Sequence, residues 1–291
     1  MKLKTIHRIY FGFDGRPDPY DDYLRSWSDA CPDFEIMHWN AKNLPMDECE
    51  YSKALYYEKD AVFLSDYFRW WVLREFGGLY LDADIEIVNG VGLSSLVDDL
   101  SSSQTFDAFI GIENRLGYTA HSMGAKPNSD LAQFMCKVYE NMGKLYHLRR
   151  TRLIAPQLVQ LYFFDRGIAR SPEGILQGIS RPFVTGRVMV LPQDYFSPLG
   201  FGNPPYLECR TENTILCHHF GGSWLSDLGK SAANKNGLRF LKEYEAAYNK
   251  NHLRQSAWIS LFLFRIEQLC RSLREKGPRI TCRKIIEKMF E

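Results

Sequence analysis

Apolar and polar positions along the chain switch between two periods, and the switches predict an α/β protein. Residues 4–12 (KTIHRIYFG) read as a short buried strand closed by Gly12. The DGRPDPYDD stretch that follows is a polar Pro/Gly loop. Residues 20–30 carry a helical pattern, and residues 34–39 (FEIMHW) return to the two-residue period of a strand. The next stretch, 53–64, starts with helical character. Ser65 is a candidate N-cap for DYFRWWVLREF, in which Phe68, Val72, Leu73 and Phe76 share one stripe. Gly77-Gly78 ends that helix. LYLDADIEIV then reads as one strand over 79–88, whose alternation places Asp82, Asp84 and Glu86 on a single face. Further strands are predicted at 106–112, 187–191 and 214–217, helices at 128–148 and 151–165, and a turn at QDYFSP (193–198). This succession predicts one mixed-sheet nucleotide-binding domain over residues 1–237.

The pattern changes from about residue 238. Ile259, Phe262, Leu263, Ile266, Leu269, Cys270 and Leu273 form a helical stripe, and residues 251–291 hold nine Lys/Arg against four Glu. The chain as a whole carries a formal charge of only +1, which gives no general field for nucleic acid. The expectation is thus a neutral body with a basic, helical, amphipathic extension over 238–291. Two readings compete for that extension: a helix packed on the body, or one lying on an anionic membrane surface.

Composition narrows the picture further. With 45% apolar and 24% charged residues the chain is of globular type. The seven cysteines are scattered and form no C-x-x-C pair, which argues against a disulfide framework or a structural zinc site and for reduced thiols in a cytoplasm. The opening MKLKTIHRIYFGFDG lacks the apolar core of a secretory signal. The longest apolar run, WISLFLF (258–264), is far short of a membrane span.

Three groupings carry candidate chemistry. Asp82 and Asp84 stand where a strand ends, the place at which α/β sheets bind ligands. Two acids there repel each other, and a divalent cation removes that penalty while taking phosphate oxygens as further ligands. The HHFGGSW run (218–224) offers an imidazole from either His218 or His219 to complete such a site, which suits Mn2+ better than Mg2+. Its Gly pair admits a close phosphate, and Ser223 and Trp224 are donors for diphosphate oxygens. Asp66 and Arg69, three apart on one helical face, make a carboxylate–guanidinium pair: either a surface salt bridge of little consequence or a fixed clamp for sugar hydroxyls.

Together these residues resemble the signature of glycosyltransferase family 32, the D-x-D group that includes yeast α-mannosyltransferases and bacterial capsule and O-antigen enzymes. The glucosyltransferase domains of large clostridial toxins look alike. The resemblance is carried by SDYFRWWVLREFGGLYLDADIEIV (65–88), with IHRIYFG (6–12), FIGIEN (109–114), QDYFSP (193–198) and HHFGGSW (218–224) in support. It implies a GT-A fold, a nucleotide-sugar donor and transfer with retention at the anomeric carbon. It implies further that Asp82 and Asp84 hold Mn2+ (or Mg2+) and the donor, that His219 or His218 completes the metal site, and that Asp66 and Arg69 meet the donor hexose. Tyr80 would line the donor pocket, Ser223 and Trp224 would meet the diphosphate, and Ile9, Tyr10 and Phe11 would hold the base. Glu113 and Asn114 are candidates for the acceptor side. The expected reaction moves a hexose from a UDP-sugar, such as UDP-galactose or UDP-glucose, to a glycan acceptor. A lipid-linked acceptor would place the protein on the inner face of the plasma membrane.

Two rivals remain. Aspartyl phosphotransferases set their D-x-D at the end of the first strand, whereas here it stands at 82 and 84. A catalytically degenerate GT-A fold that binds carbohydrate or protein would be expected to have lost some of the acids, the arginine and the histidines, all of which are present.

Overall fold

The computed structural model describes residues 3–13, 15, 17–114, 117–144, 155–165, 179–198 and 210–219. Their centre is a seven-stranded mixed sheet. In chain order its strands are β1 (Thr5–Ile9), β2 (Glu35–Trp39), β3 (Gly78–Leu81), β5 (Ala108–Asn114), β6 (Gly117–Ala125), β7 (Phe183–Thr185) and β8 (Val188–Leu191). They lie in the order β2-β1-β3-β6-β5-β8-β7, beside a two-stranded sheet of β4 (Ile85–Ile87) and β9 (Leu216–His218). β1 runs parallel to β2 and β3, whereas β6 is antiparallel to both its neighbours β3 and β5. The ends of β1, β3 and β5 therefore point the same way, and Ile9, Leu81 and Asn114 share one edge of the sheet.

Both faces of this sheet are covered, and β1, β3 and β6 are buried at every position. Tyr80 of β3 faces a core built with α2 (Glu50–Tyr57), α3 (Ala61–Phe76), α5 (Asp130–Lys144) and α6 (Ala155–Asp165). Leu79 and Leu81 face the opposite core, with Trp27 of α1 (Asp21–Ala30) and Leu93, Leu96 and Leu100 of α4 (Gly90–Ser102). Phe196 of the short α7 (Gln193–Phe196) joins that second core.

The structure departs from the sequence pattern at several points. α3 begins at Ala61 rather than after Ser65. Asp60 is the N-cap, its carboxylate accepting the Phe63 N–H at 3.4 Å, while the Ser65 hydroxyl bonds back to the Val62 carbonyl inside the helix. The helix is buried on most of its circumference, so the single apolar stripe located its middle but not its start. The strand expected over 79–88 is broken into β3 and β4 by a turn at 82–84, closed by the Ile85 N–H on the Asp82 carbonyl at 3.2 Å. This turn removes the alternation that placed Glu86 on the same face as the two aspartates. The 193–198 stretch starts with the one-turn α7. Strands β6 and β7 and helix α4 were not foreseen. The start of the 151–165 helix and the 238–291 extension lie outside the described residues. Cys31, Cys49, Cys136 and Cys217 are free thiols, and among the described residues no helix is long and apolar enough to cross a membrane.

Gly77 and Gly78 deliver β3 into the sheet. They take φ of +67° and +95°, and a Cβ on Gly78 would sit 2.7 Å from the Thr5 carbonyl oxygen. Only glycine satisfies both the torsion and the approach. Gly78→Ala is expected to lower stability by roughly 2–4 kcal/mol, read as a shift in the urea midpoint; an unchanged midpoint would contradict the close packing of β3 on β1.

Candidate active site

The turn after β3 is held on three sides. The Asp82 N–H donates to the His121 carbonyl of β6 at 2.8 Å, Trp27 Nε1 of α1 donates to the Ile85 carbonyl at 2.7 Å, and the His219 N–H donates to the Asp84 carbonyl at 3.2 Å. These anchors bring the Asp82 and Asp84 carboxylates against His218 at the end of β9. Ligand atoms of the three residues all lie within 4.8 Å of one another, and His218 Nε2 is 3.2 Å from Asp84 Oδ1.

Asp66 and Arg69 stand beneath this cluster, and both are buried. They are not the surface pair that one of the sequence readings allowed. Arg69 Nη2 is 2.7 Å from Asp66 Oδ1 and 3.7 Å from Asp82 Oδ1. Its Nε donates to the Ser65 carbonyl, its Nη1 to the Ala120 carbonyl of β6, and its plane lies over the Tyr80 ring at 5.1 Å. The Tyr80 hydroxyl donates to Asp82 Oδ1 at 2.6 Å. Asp82 is thus fixed from below by a guanidinium and a phenol.

Burial lifts the Asp82 carboxyl above its ordinary range; Arg69 opposes the lift and Asp84 adds to it. Burial likewise pushes Asp66 up to about 6, against the pull of Arg69. For His218, burial favours the neutral ring, but the hydrogen bond and charge of Asp84, with Asp82 and Glu113, outweigh it and leave the pKa raised. The ring is therefore biased to carry a proton that partly neutralises the acids. Glu113, near the end of β5, feels both His218 and Asp82.

The other predicted residues fall as follows. Ile9 is buried at the end of β1, and Tyr10 and Phe11 follow it, partly exposed, at the same sheet edge. Phe11 stacks on Phe13 with centroids 5.3 Å apart, and the Tyr10 hydroxyl donates to the Pro17 carbonyl. Asn114 ends β5, and its side chain lies outside the described residues, as do Ser223 and Trp224. The two histidines separate. His218 belongs with Asp82 and Asp84, whereas His219 Nε2 bonds Glu86 Oε2 at 3.0 Å, in a second grouping with Cys217. There Arg210 Nη2 already sits 2.6 Å from Glu86 Oε2. Sequence reasoning missed His121, 3% exposed on β6, whose ring lies 4.1 Å from that of His218. No motif signalled it.

The fold and site thus define a mixed α/β protein with a carboxylate–imidazole cluster at the strand ends of its sheet. Residues 17–107 match the family model described as a glycosyltransferase sugar-binding region containing a DXD motif. The matched stretch includes Asp66, Arg69, Tyr80, Asp82 and Asp84. No curated protein matches the chain. Two solved structures similar to it are "PaToxG Glycosyltransferase" and "crystal structure of a glycosyltransferase involved in the glycosylation of the major capsid of PBCV-1". The first is 14% identical over 56% of this chain and 68% of that one, with a TM-score of 0.43. The second is 13% identical over 74% and 93%, with a TM-score of 0.41. Likenesses of this size carry no argument about the chain's chemistry.

Burial pushes the Glu113 carboxyl from 4.5 up to about 7, Asp82 assisting and His218 opposing. A raised carboxyl pKa means the fold binds the proton more tightly than the unfolded chain does. The stability this contributes is present below the unfolded value and is lost as pH rises through the folded one. In the presence of a chelator, Glu113→Gln is therefore expected to be more stable than the wild type at pH 8. The gain should be on the order of 2 kcal/mol, since partial exposure screens some of the effect, and it should vanish at pH 4.5. The same difference in melting temperature at both pH values would remove the buried-carboxyl reading.

Proposed function

We propose that the chain is a GT-A-type, metal-dependent retaining glycosyltransferase that moves a hexose from a UDP-sugar to a glycan acceptor. The observation that carries this reading is the convergence of Asp82, Asp84 and His218 at the end of β3, within reach of the buried Asp66–Arg69 pair. The matched sugar-binding region supports the donor class.

The donor set fits a hard divalent cation, Mn2+ or Mg2+: two carboxylates that repel each other and one imidazole, in a site whose burial makes uncompensated charge costly. Asp82, Asp84 and His218 would hold the ion, which when bound supplies neutralisation of the charge developing on the leaving diphosphate. Asp66 and Arg69 fix Asp82 and present polar groups to the hexose. Tyr80 orients the Asp82 carboxylate through its hydroxyl. Ile9, Tyr10 and Phe11, at the same sheet edge, would meet the base, and Ser223 and Trp224 the diphosphate. Glu113 stands near the end of β5, across β6 from β3, where an acceptor hydroxyl would approach. Front-face transfer, in which the departing phosphate takes the acceptor's proton, requires no protein nucleophile and accounts for retention.

Asp84→Asn keeps the shape of the side chain and removes its charge. Release of UDP from a UDP-hexose in Mn2+ is expected to fall at least roughly a hundredfold, with near-wild-type thermal unfolding. Wild-type turnover by that variant sinks the metal role, and release of neither UDP nor GDP by the wild type from a panel of UDP- and GDP-sugars would favour a binding module instead.

The acceptor is assigned to the lipid-linked glycans of capsule or O-antigen synthesis, on the basic stripe of residues 251–291. In sedimentation with anionic liposomes the full chain is expected to pellet and a chain ending near residue 250 to stay in solution, with the difference lost at high salt. Equal behaviour of the two chains would dispose of the membrane role.

A further inference from the structure

His121 lies outside the matched sugar-binding region yet touches both Asp82 and His218 of the acid–imidazole cluster. Its backbone carbonyl receives the Asp82 N–H at 2.8 Å. Its ring lies 4.1 Å from the His218 ring at an interplanar angle of 32°. One ring nitrogen, Nδ1, is bonded with the Ser122 hydroxyl at 2.8 Å, and the other, Nε2, with the Ser197 hydroxyl at 2.8 Å. Ser197 is fully buried and is fixed in turn by its own N–H on the Gln193 carbonyl at 2.8 Å. Both nitrogens are thus committed to hydroxyls, which leaves the flat of the ring as the surface turned to His218.

We propose that His121 is a positioning residue for the metal site: an imidazole plate, clamped at both nitrogens, that fixes the His218 ring with its Nε2 toward Asp84. The inference rests on the proposed metal-dependent function. Its physical basis is the cost of freezing a ligand. An imidazole at the end of a three-residue strand can rotate about χ1 and χ2, and an ion that must immobilise it binds more weakly than one that finds it aligned. Ser197 extends the same support to the QDYFSP segment, so that three separate stretches of chain, at 82, 121–122 and 197, meet behind one ligand.

The test measures Mn2+ affinity directly by titration calorimetry, and then the Mn2+ dependence of UDP release. His121→Ala removes the plate. Ser197→Ala removes one clamp, leaves β6 intact and is the milder change should the first variant lose its near-UV circular dichroism. The expected result is Mn2+ binding weakened roughly 10–100-fold, with turnover at saturating Mn2+ reduced far less, because a positioning residue acts on ligand alignment and not on the reacting atoms. A folded variant that binds Mn2+ as tightly as the wild type overturns the positioning role and leaves the proposed function standing. A wild-type protein that binds no Mn2+ removes both.

Discussion

Much of this structure is organised by one electrostatic constraint: several carboxyl groups are drawn together at a sheet edge where water is largely excluded. Asp66, Asp82, Asp84 and Glu113 surround the end of β3, and each of the three whose pKa shift has burial as its main cause is moved toward the protonated state. Such a set is tolerable only if positive charge is built in beside it. Arg69 supplies a permanent charge between Asp66 and Asp82. His218, its pKa raised by Asp84, is biased toward a second and removable one. The rest of the site can be read as the scaffolding needed to hold these two cations where the acids are.

That scaffolding comes to a large extent from β6. Its Ala120 carbonyl takes Arg69 Nη1, its His121 carbonyl takes the Asp82 N–H, and its His121 ring backs His218. A single strand therefore touches the guanidinium, the first aspartate and the imidazole. Its antiparallel pairing with β3, registered through Gly78–Ala125 and Leu81–Ser122, sets the position of all three contacts at once.

This is also where the sequence was least legible. The run GYTAHSMGA is buried at every position, but it contains Thr119, His121 and Ser122, whose polar groups are satisfied by hydrogen bonds with one another, with backbone or with Ser197. Hydropathy registers such a strand as weakly polar, and period-two alternation is absent because both faces are covered. By contrast the middle of α3 was readable, since there apolar side chains do most of the burying. The break between β3 and β4 was illegible for another reason. Alternation assumes an unbroken strand, and the turn that splits Asp82 and Asp84 from Glu86 is fixed by contacts with Trp27 and His121, distant in sequence. The same long-range pairing decides between the two histidines, which no local pattern separates.

The division between those histidines bears on where an exchangeable cation belongs. Adjacent residues of one chain segment serve two acid clusters. His219 meets Glu86, and Glu86 is also 2.6 Å from Arg210, whose charge is permanent at any working pH. There a fixed cation bears on the one carboxylate of the grouping, whereas Arg69 is shared between Asp66 and Asp82. His218 meets Asp84, and a metal ion that took its nitrogen would displace any proton the ring carries there. Of the two groupings, the one containing Asp82 and Asp84 sets two carboxylates beside its imidazole, where the other has one carboxylate and a thiol, so under the proposed function it is the better donor set for a hard divalent cation.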